Sequence, residues 1–181
     1  MTGIEDQLEG IYSPTVQLPS GGYIVINQTE ALVAIDVNSG KATRERNVEA
    51  TALKTNMEAA AEACRQMRLR DLAGLIVIDF IDMEDNKNNR AVEKKMKDSL
   101  KIDRARVQTG RISQFGLFEI SRQRRRAGVL ELSSEVCDHC GGSGRMRSIE
   151  SAAIQLLRMV EARAADDRVE SVHVEAASEV A

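Results

Sequence analysis

Tryptophan is absent from this 181-residue sequence, and three phenylalanines and two tyrosines are its whole aromatic complement. A core built from it must be aliphatic, and single-strand binding by base stacking has few rings to use. Proline is nearly absent, with two residues, and no serine- or glycine-rich tract occurs, so no long flexible linker and no internal repeat is expected. No apolar run reaches the ~18 residues of a membrane span. The first residues, MTGIEDQLEG, show no basic region followed by an apolar one, so no secretory signal is expected. Three cysteines without such a signal argue against a disulfide framework and for a reducing cytoplasm. Charge of one sign is also lacking overall. The net charge of -3 advertises neither a nucleic acid nor an acidic membrane.

What is present suffices for one domain with a small appendage, since 43% of residues are hydrophobic. The charge that cancels globally is uneven locally. Between Lys101 and Arg126 eight Lys/Arg face only Asp103 and Glu119. From Ser151 onward Glu161, Asp166, Asp167, Glu170, Glu175 and Glu179 outnumber Arg158, Arg163 and Arg168. A basic middle and an acidic tail suggest a polyanion-facing surface and a differently employed end.

Residues 1–22 read as a connecting segment ending in the turn Pro19-Ser20-Gly21-Gly22. YIVIN (23–27) and ALVAIDV (31–37) read as a hairpin, with Leu32, Ala34, Asp36 and Asn38 on one side. A helix is expected over 47–70, capped by Asn47 and favoured by Glu49, with Leu53, Met57, Ala60, Cys64 and Met67 as its apolar stripe. LIVIDF (75–80) then completes a βαβ unit, and its continuous apolar run suggests a strand covered on both faces. A charged helix near 88–101, strands near 106–109 and 115–121, an amphipathic helix over 148–165 and a strand at 169–174 complete an α/β chain.

The chemistry lies where the apolar runs end on acid. Asp36 and Asp79 occupy the carboxyl ends of two strands that one helix joins, the edge where open α/β sheets bind ligands. A carboxylate there is costly unless it is paired or holds a cation. Neighbouring strands lie ~4.8 Å apart, and Mg²⁺ needs only one or two carboxylates beside its waters. Asn38 shares the face of Asp36 and offers a neutral oxygen or a phosphate contact. Asp82, of opposite phase, reads as a supporting or turn residue. The plainer alternative is that each Asp caps a turn or helix. In the basic stretch, Arg104, Arg106, Arg111, Arg122, Arg124, Arg125 and Arg126 suit phosphate contacts, or else form a solvated face.

The motif Cys137-Asp138-His139-Cys140, followed by Gly141-Gly142-Ser143-Gly144, is half of a tetrahedral zinc site. Cys64 belongs to an apolar stripe, His173 stands alone, and His139 is poorly placed for the same ion. Two chains giving two cysteines each would complete the site. A redox CxxC or an unmetalled turn are the alternatives.

LPSGGYIVIN, TEALVAIDVNSG, LRLRDLAGLIVIDFIDM, DRARVQ, FGLFEISRQR and CDHCGGSGR, in this order, resemble the catalytic core of the bacterial ribonuclease E/G family. The resemblance runs from about Ile4 to Arg147, more weakly beyond. It implies a single-strand-specific endoribonuclease of RNA processing and mRNA decay that leaves 5′-phosphate and 3′-hydroxyl ends. It further implies Mg²⁺ held by Asp36 and Asp79, with Asn38 and Arg106 lining the scissile phosphate. With RNA as the polyanion, the basic stretch is read as giving RNA contacts from Arg104, Arg106, Arg111, Arg122 and Arg124. Cys137 and Cys140 would supply a zinc link between two protomers, giving a homodimer and, in the complete enzyme, a homotetramer. A cytoplasmic place, inner-membrane association of the complete enzyme and membership of an RNA-degradation complex belong to the same implication. The implied organisation is a connecting segment 1–22, a deoxyribonuclease-I-like subdomain 23–132, a zinc link 133–147 and the truncated start of a small α/β domain at 148–181. The family's S1 RNA-binding module and 5′-end sensor are expected to lie upstream of this chain. Asp138 stands where the family usually has proline. Two rival readings remain: a zinc-linked dimerisation and RNA-docking piece without turnover, and a zinc-binding nucleic-acid module unrelated to cleavage.

Overall fold

The computed structural model describes residues 3–40, 48–166 and 168–176, in two units, 1–134 and 135–181. In the first unit, alternation of apolar and polar residues builds a six-stranded sheet of order β1-β2-β3-β4-β6-β5. Its strands are β1 (Thr15–Gln17), β2 (Tyr23–Gln28), β3 (Val33–Asn38), β4 (Gly74–Asp79), β5 (Val107–Ile112) and β6 (Leu117–Arg122). β3 and β4 run parallel, joined by the helix α2 (Val48–Leu69), and every other pairing is antiparallel. The expected βαβ unit is therefore present. Residues 1–22 are more than a connection, because they contain α1 (Ile4–Glu9) and the edge strand β1. The cap expected at Asn47 lies outside the described residues.

One face of the sheet carries the core. Ile24, Ile26, Val33, Ile35, Ile76, Ile78, Phe118 and Ile120 are buried against α2 and α3 (Asn86–Leu100). Ala59, Ala60 and Ala63 let α2 approach closely, and Val92, Met96 and Leu100 fill the core from α3. β4 was expected to be covered on both faces. Its burial instead alternates, with Leu75 45% exposed and Ile76 fully buried. The apolar run reflects β propensity, while helices pack only on one side. The stripe expected on α2 holds at Ala60, Cys64 and Met67, which are fully buried, but not at its start. Leu53 and Met57 are only partly buried, whereas Thr51, Thr55 and Asn56 are buried.

The first unit ends with the short helix α4 (Val129–Ser133). The second unit contains the Cys137–Gly144 turn and α5 (Ile149–Ala164), capped by the Ser148 hydroxyl, which accepts from Ser151 N at 3.3 Å. No residue of α5 is buried. The strand expected at 169–174 does not form, and those residues are irregular. Their alternating valines have no neighbouring strand among the described residues to pair with.

Candidate active site

Asp36 and Asp79 are direct partners across the parallel β3–β4 ladder, so their carboxylates leave the same face at the same level. Both are exposed. Asn38, two residues on, donates from Nδ2 to Asp36 Oδ2 at 2.7 Å. This bond restrains the Asp36 carboxylate to one rotamer. The Asp79 carboxyl is held above its ordinary value by partial desolvation first, then by the negative charges of Asp36 and Asp82. Like charges raise a carboxyl pKa because each proton taken up relieves repulsion. A divalent cation would relieve the same repulsion, so the donor set fits a hard oxygen-seeking ion. Among the described residues no three His, Cys, Asp or Glu side chains form a metal-holding cluster.

The loop after Asp79 is clamped from α2. The buried Asn56 amide donates to Ile81 O at 2.8 Å and accepts from Ile81 N at 3.0 Å. Glu49 accepts from Glu84 N, Asp85 N and Asn88 Nδ2. These bonds, the Asn88 one foremost, hold the Glu49 carboxyl below its usual range. Glu49 therefore grips the loop rather than merely favouring its own helix start. From the other side, Phe80 N donates to Gly116 O at 3.3 Å, docking the β5–β6 hairpin onto the residue after Asp79. Gly116 has φ +78°, and a Cβ there would lie 2.9 Å from Asp82 Oδ1. Sequence reading missed Asn56 and Gly116, and gave Glu49 only a place at the start of its own helix. The only signals were a polar residue on an otherwise apolar stripe and a glycine in a turn.

The arginines divide. Arg122 was expected to bind RNA, but it is 5% exposed. Its guanidinium donates to Asp103, Asp71 and Leu72 O, at 2.8–3.2 Å. The inward phase of β6 at this position leaves none of it for a ligand. Arg126 pairs with Asp71, and the exposed Arg124 with Glu131 at 2.9 Å. Arg106 was expected beside the same phosphate as Asp79. Val107 pairs with Arg122, and Arg122 with Gly74, so Arg106 lies beyond the opposite end of β4, roughly 17 Å along the strand. An antiparallel β5 brings its far end, with Arg111 and Ser113, to the acid edge instead. Arg104 and Arg106 are exposed at the distant end.

A profile of the ribonuclease E/G family matches residues 1–125. The chain belongs to the ribonuclease E/G family. A second profile, the thioredoxin-like domain of RNase E/G, matches residues 136–181. Ribonuclease E of Escherichia coli (strain K12) is 51% identical over 170 residues, covering 94% of this chain and 16% of the relative. Ribonuclease E of Haemophilus influenzae is 50% identical over 170 residues, 94% of this chain and 18% of its own length. The chloroplastic ribonuclease E/G-like protein of Arabidopsis thaliana is 43% identical over 150 residues, 82% of this chain and 15% of its own length. The chain thus spans less than a fifth of these relatives.

Within this ribonuclease E/G chain the second unit keeps its two cysteines on one turn. Gly141 N donates to Cys137 O at 2.8 Å and Ser143 N to Cys140 O at 3.0 Å. The amides of Gly144 and Gly142, then Cys137, hold the Cys140 thiol below its ordinary value. A thiol so lowered favours the thiolate that a soft metal binds. Cys64 stays in the core of the first unit, where burial pushes its thiol up to about 12.

Proposed function

We propose that this chain carries the hydrolytic part of an endoribonuclease that cleaves single-stranded RNA, leaving 5′-phosphate and 3′-hydroxyl ends, on a deoxyribonuclease-I-like subdomain. The observation that carries the reading is the in-register pair Asp36 and Asp79, exposed, mutually repulsive and left without a cationic partner among the described residues. Membership of the ribonuclease E/G family supports endonucleolytic cleavage of RNA as the reaction.

In this reading Asp36 and Asp79 hold Mg²⁺, and Asn38 keeps Asp36 in its binding rotamer. A bound Mg²⁺ supplies a water of lowered pKa and charge stabilisation at the phosphate. Asp82 sustains the negative field at the mouth, and the Asn56 and Glu49 clamps hold the Asp79–Asp85 loop so that the carboxylates need not reorganise. Cys137 and Cys140 supply two of four thiolates to a zinc ion completed by a second copy, which makes the chain a homodimer. Exposed Arg104, Arg111 and Arg124 contribute phosphate contacts.

The test is cleavage of a 5′-monophosphorylated AU-rich single strand, with and without Mg²⁺. The expected result is Mg²⁺-dependent cleavage that Asp79→Asn lowers by at least about 10²-fold. Full cleavage by Asp79→Asn would overturn the assignment. A second reading is favoured by the small share of each relative that the chain spans: a zinc-linked docking piece that binds RNA without turnover. RNA binding and one zinc per two chains, with no cleavage by the unsubstituted chain, would select it. One zinc per chain would exclude the shared link in either reading.

A further inference from the structure

An open groove of about 770 Å³ lies between α3 and the β5–β6 hairpin, with Asp82 and Gly116 among its lining residues. Arg90 and Lys97 line it from α3, two helical turns or ~10 Å apart along the axis. Arg111 lines it from β5. All three side chains are exposed, and none forms a salt bridge among the described residues. Of the groove's two acids, Asp82 stands at its Gly116 end and Glu93 is held by the fold, its Oε1 accepting from Ile112 N at 3.0 Å. Phe115, beside Gly116 at the hairpin tip, is 72% exposed. Its turn is held by Ser113, whose Oγ accepts from Phe115 N at 3.2 Å.

Three uncommitted cations and one presented ring are the two contacts that single-stranded nucleic acid uses: phosphate neutralisation and base stacking. Their place decides which part of the ligand they meet. Gly116 is close to both Asp82 Oδ1 and Asp79 Oδ1, so a strand whose phosphate sits on the Asp36–Asp79 pair continues directly past the hairpin tip. We propose that this groove is the RNA track on one side of the cut, with backbone phosphates on Arg90, Lys97 and Arg111 and one base stacked on Phe115. The proposal rests on the nuclease reading for its direction. Binding itself can be measured where no cleavage occurs.

The experiment titrates the full chain with a short AU-rich single-stranded RNA in EDTA, by anisotropy, over a range of salt. Replacing Arg90, Lys97 and Arg111 together by Ala is expected to weaken binding at least tenfold. It should also lower the slope of log affinity against log salt by about two. Lys94→Ala, an exposed cation on the same helix but outside the groove, should leave both unchanged. The double variant Arg90→Lys with Arg111→Lys should keep the slope, which a folding defect would not explain. Because the chain has no tryptophan, Phe115→Trp gives a unique fluorophore. RNA should quench it, and Phe115→Ala should weaken binding roughly tenfold. Absence of binding by the unsubstituted chain, an unchanged salt slope in the triple variant, or no quenching at position 115 would overturn the proposal. Loss of cleavage alone would bear on the nuclease reading and leave this measurement intact.

Discussion

The two ends of β4 hold charge in opposite ways. At Asp79, like charges from Asp36 and Asp82 gather in the open, and the carboxyl is pushed above its usual range. At Gly74, across from Arg122, opposite charges close on one another: Arg122, Asp103 and Asp71 are nearly enclosed, with Arg126 at the rim. Burial there opposes ionisation of Asp71, but hydrogen bonds from Arg126 and Arg122 outweigh it, and the carboxyl sits below its usual range. Asp103 is lowered in the same balance, by Arg122 and by the Ala105 amide. Charge that serves the fold is paired and satisfied, whereas charge that serves a ligand is left unpaired. One strand of six residues separates the two.

The sharpest way to break the comparison is at the paired end. Arg122→Ala leaves Asp71 and Asp103 enclosed without their cation and Leu72 O without its donor. It should cost about 3–5 kcal/mol in urea unfolding. The pH dependence has a definite sign. Asp71 and Asp103 titrate lower in the fold than the ~3.9 of a free aspartate. They add stability above that value, and it is lost as pH falls through their lowered folded values. Acid unfolding below about pH 4 should therefore be steep in the parent chain and shallower in Arg122→Ala. Equal stability of the two proteins would remove the structural role assigned to this end.

A smaller effect is expected from Gly116→Ala at the open end. The left-handed φ of +78° costs an alanine about 1–2 kcal/mol. The new Cβ would also press on Phe80 O at 3.3 Å and on Asp82 Oδ1. Asp82 should swing away, and the Asp79 carboxyl should titrate closer to a free aspartate, as followed by carboxyl NMR. A loss of stability with no change in the Asp79 titration would mean that Asp82 does not contribute to the negative field.

The sequence shows the open end better than the paired one. An Asp after an apolar run is conspicuous because burial would be costly, and two such runs joined by one helical pattern predict adjacency. Arg122 carries no such mark. It sits among other arginines, and the phase of β6 turns it inward at the strand's last residue, whereas Arg124 lies beyond the strand and stays exposed. Arg106 misled for a related reason. Nearness along a motif says nothing of strand direction, and an antiparallel β5 reverses which arginine meets the acids. Asn56 and Thr51 on α2 were passed over because helical periodicity counts apolar residues, while this helix also uses an amide to hold a loop. The tail strand failed because alternation needs a neighbouring strand to become a sheet.

The smallest expected effect has the opposite sign to the first. Asp79→Asn removes one of two like charges set directly opposite each other, so it should stabilise the chain at neutral pH by about 0.2–1 kcal/mol. A carboxyl raised by the fold opposes folding once it ionises, and this penalty disappears as pH falls below the value of the free group. The gain should therefore shrink to nothing on acidification. Mg²⁺ supplies the remaining test. An ion that binds only the folded pair stabilises by mass action, about 2.7 kcal/mol at one hundred times its dissociation constant. Thermal unfolding of the parent chain should shift upward with Mg²⁺ while Asp79→Asn stays still. Equal shifts in both would place the ion elsewhere and reduce the Asp36–Asp79 pair to an unrelieved repulsion at a sheet edge.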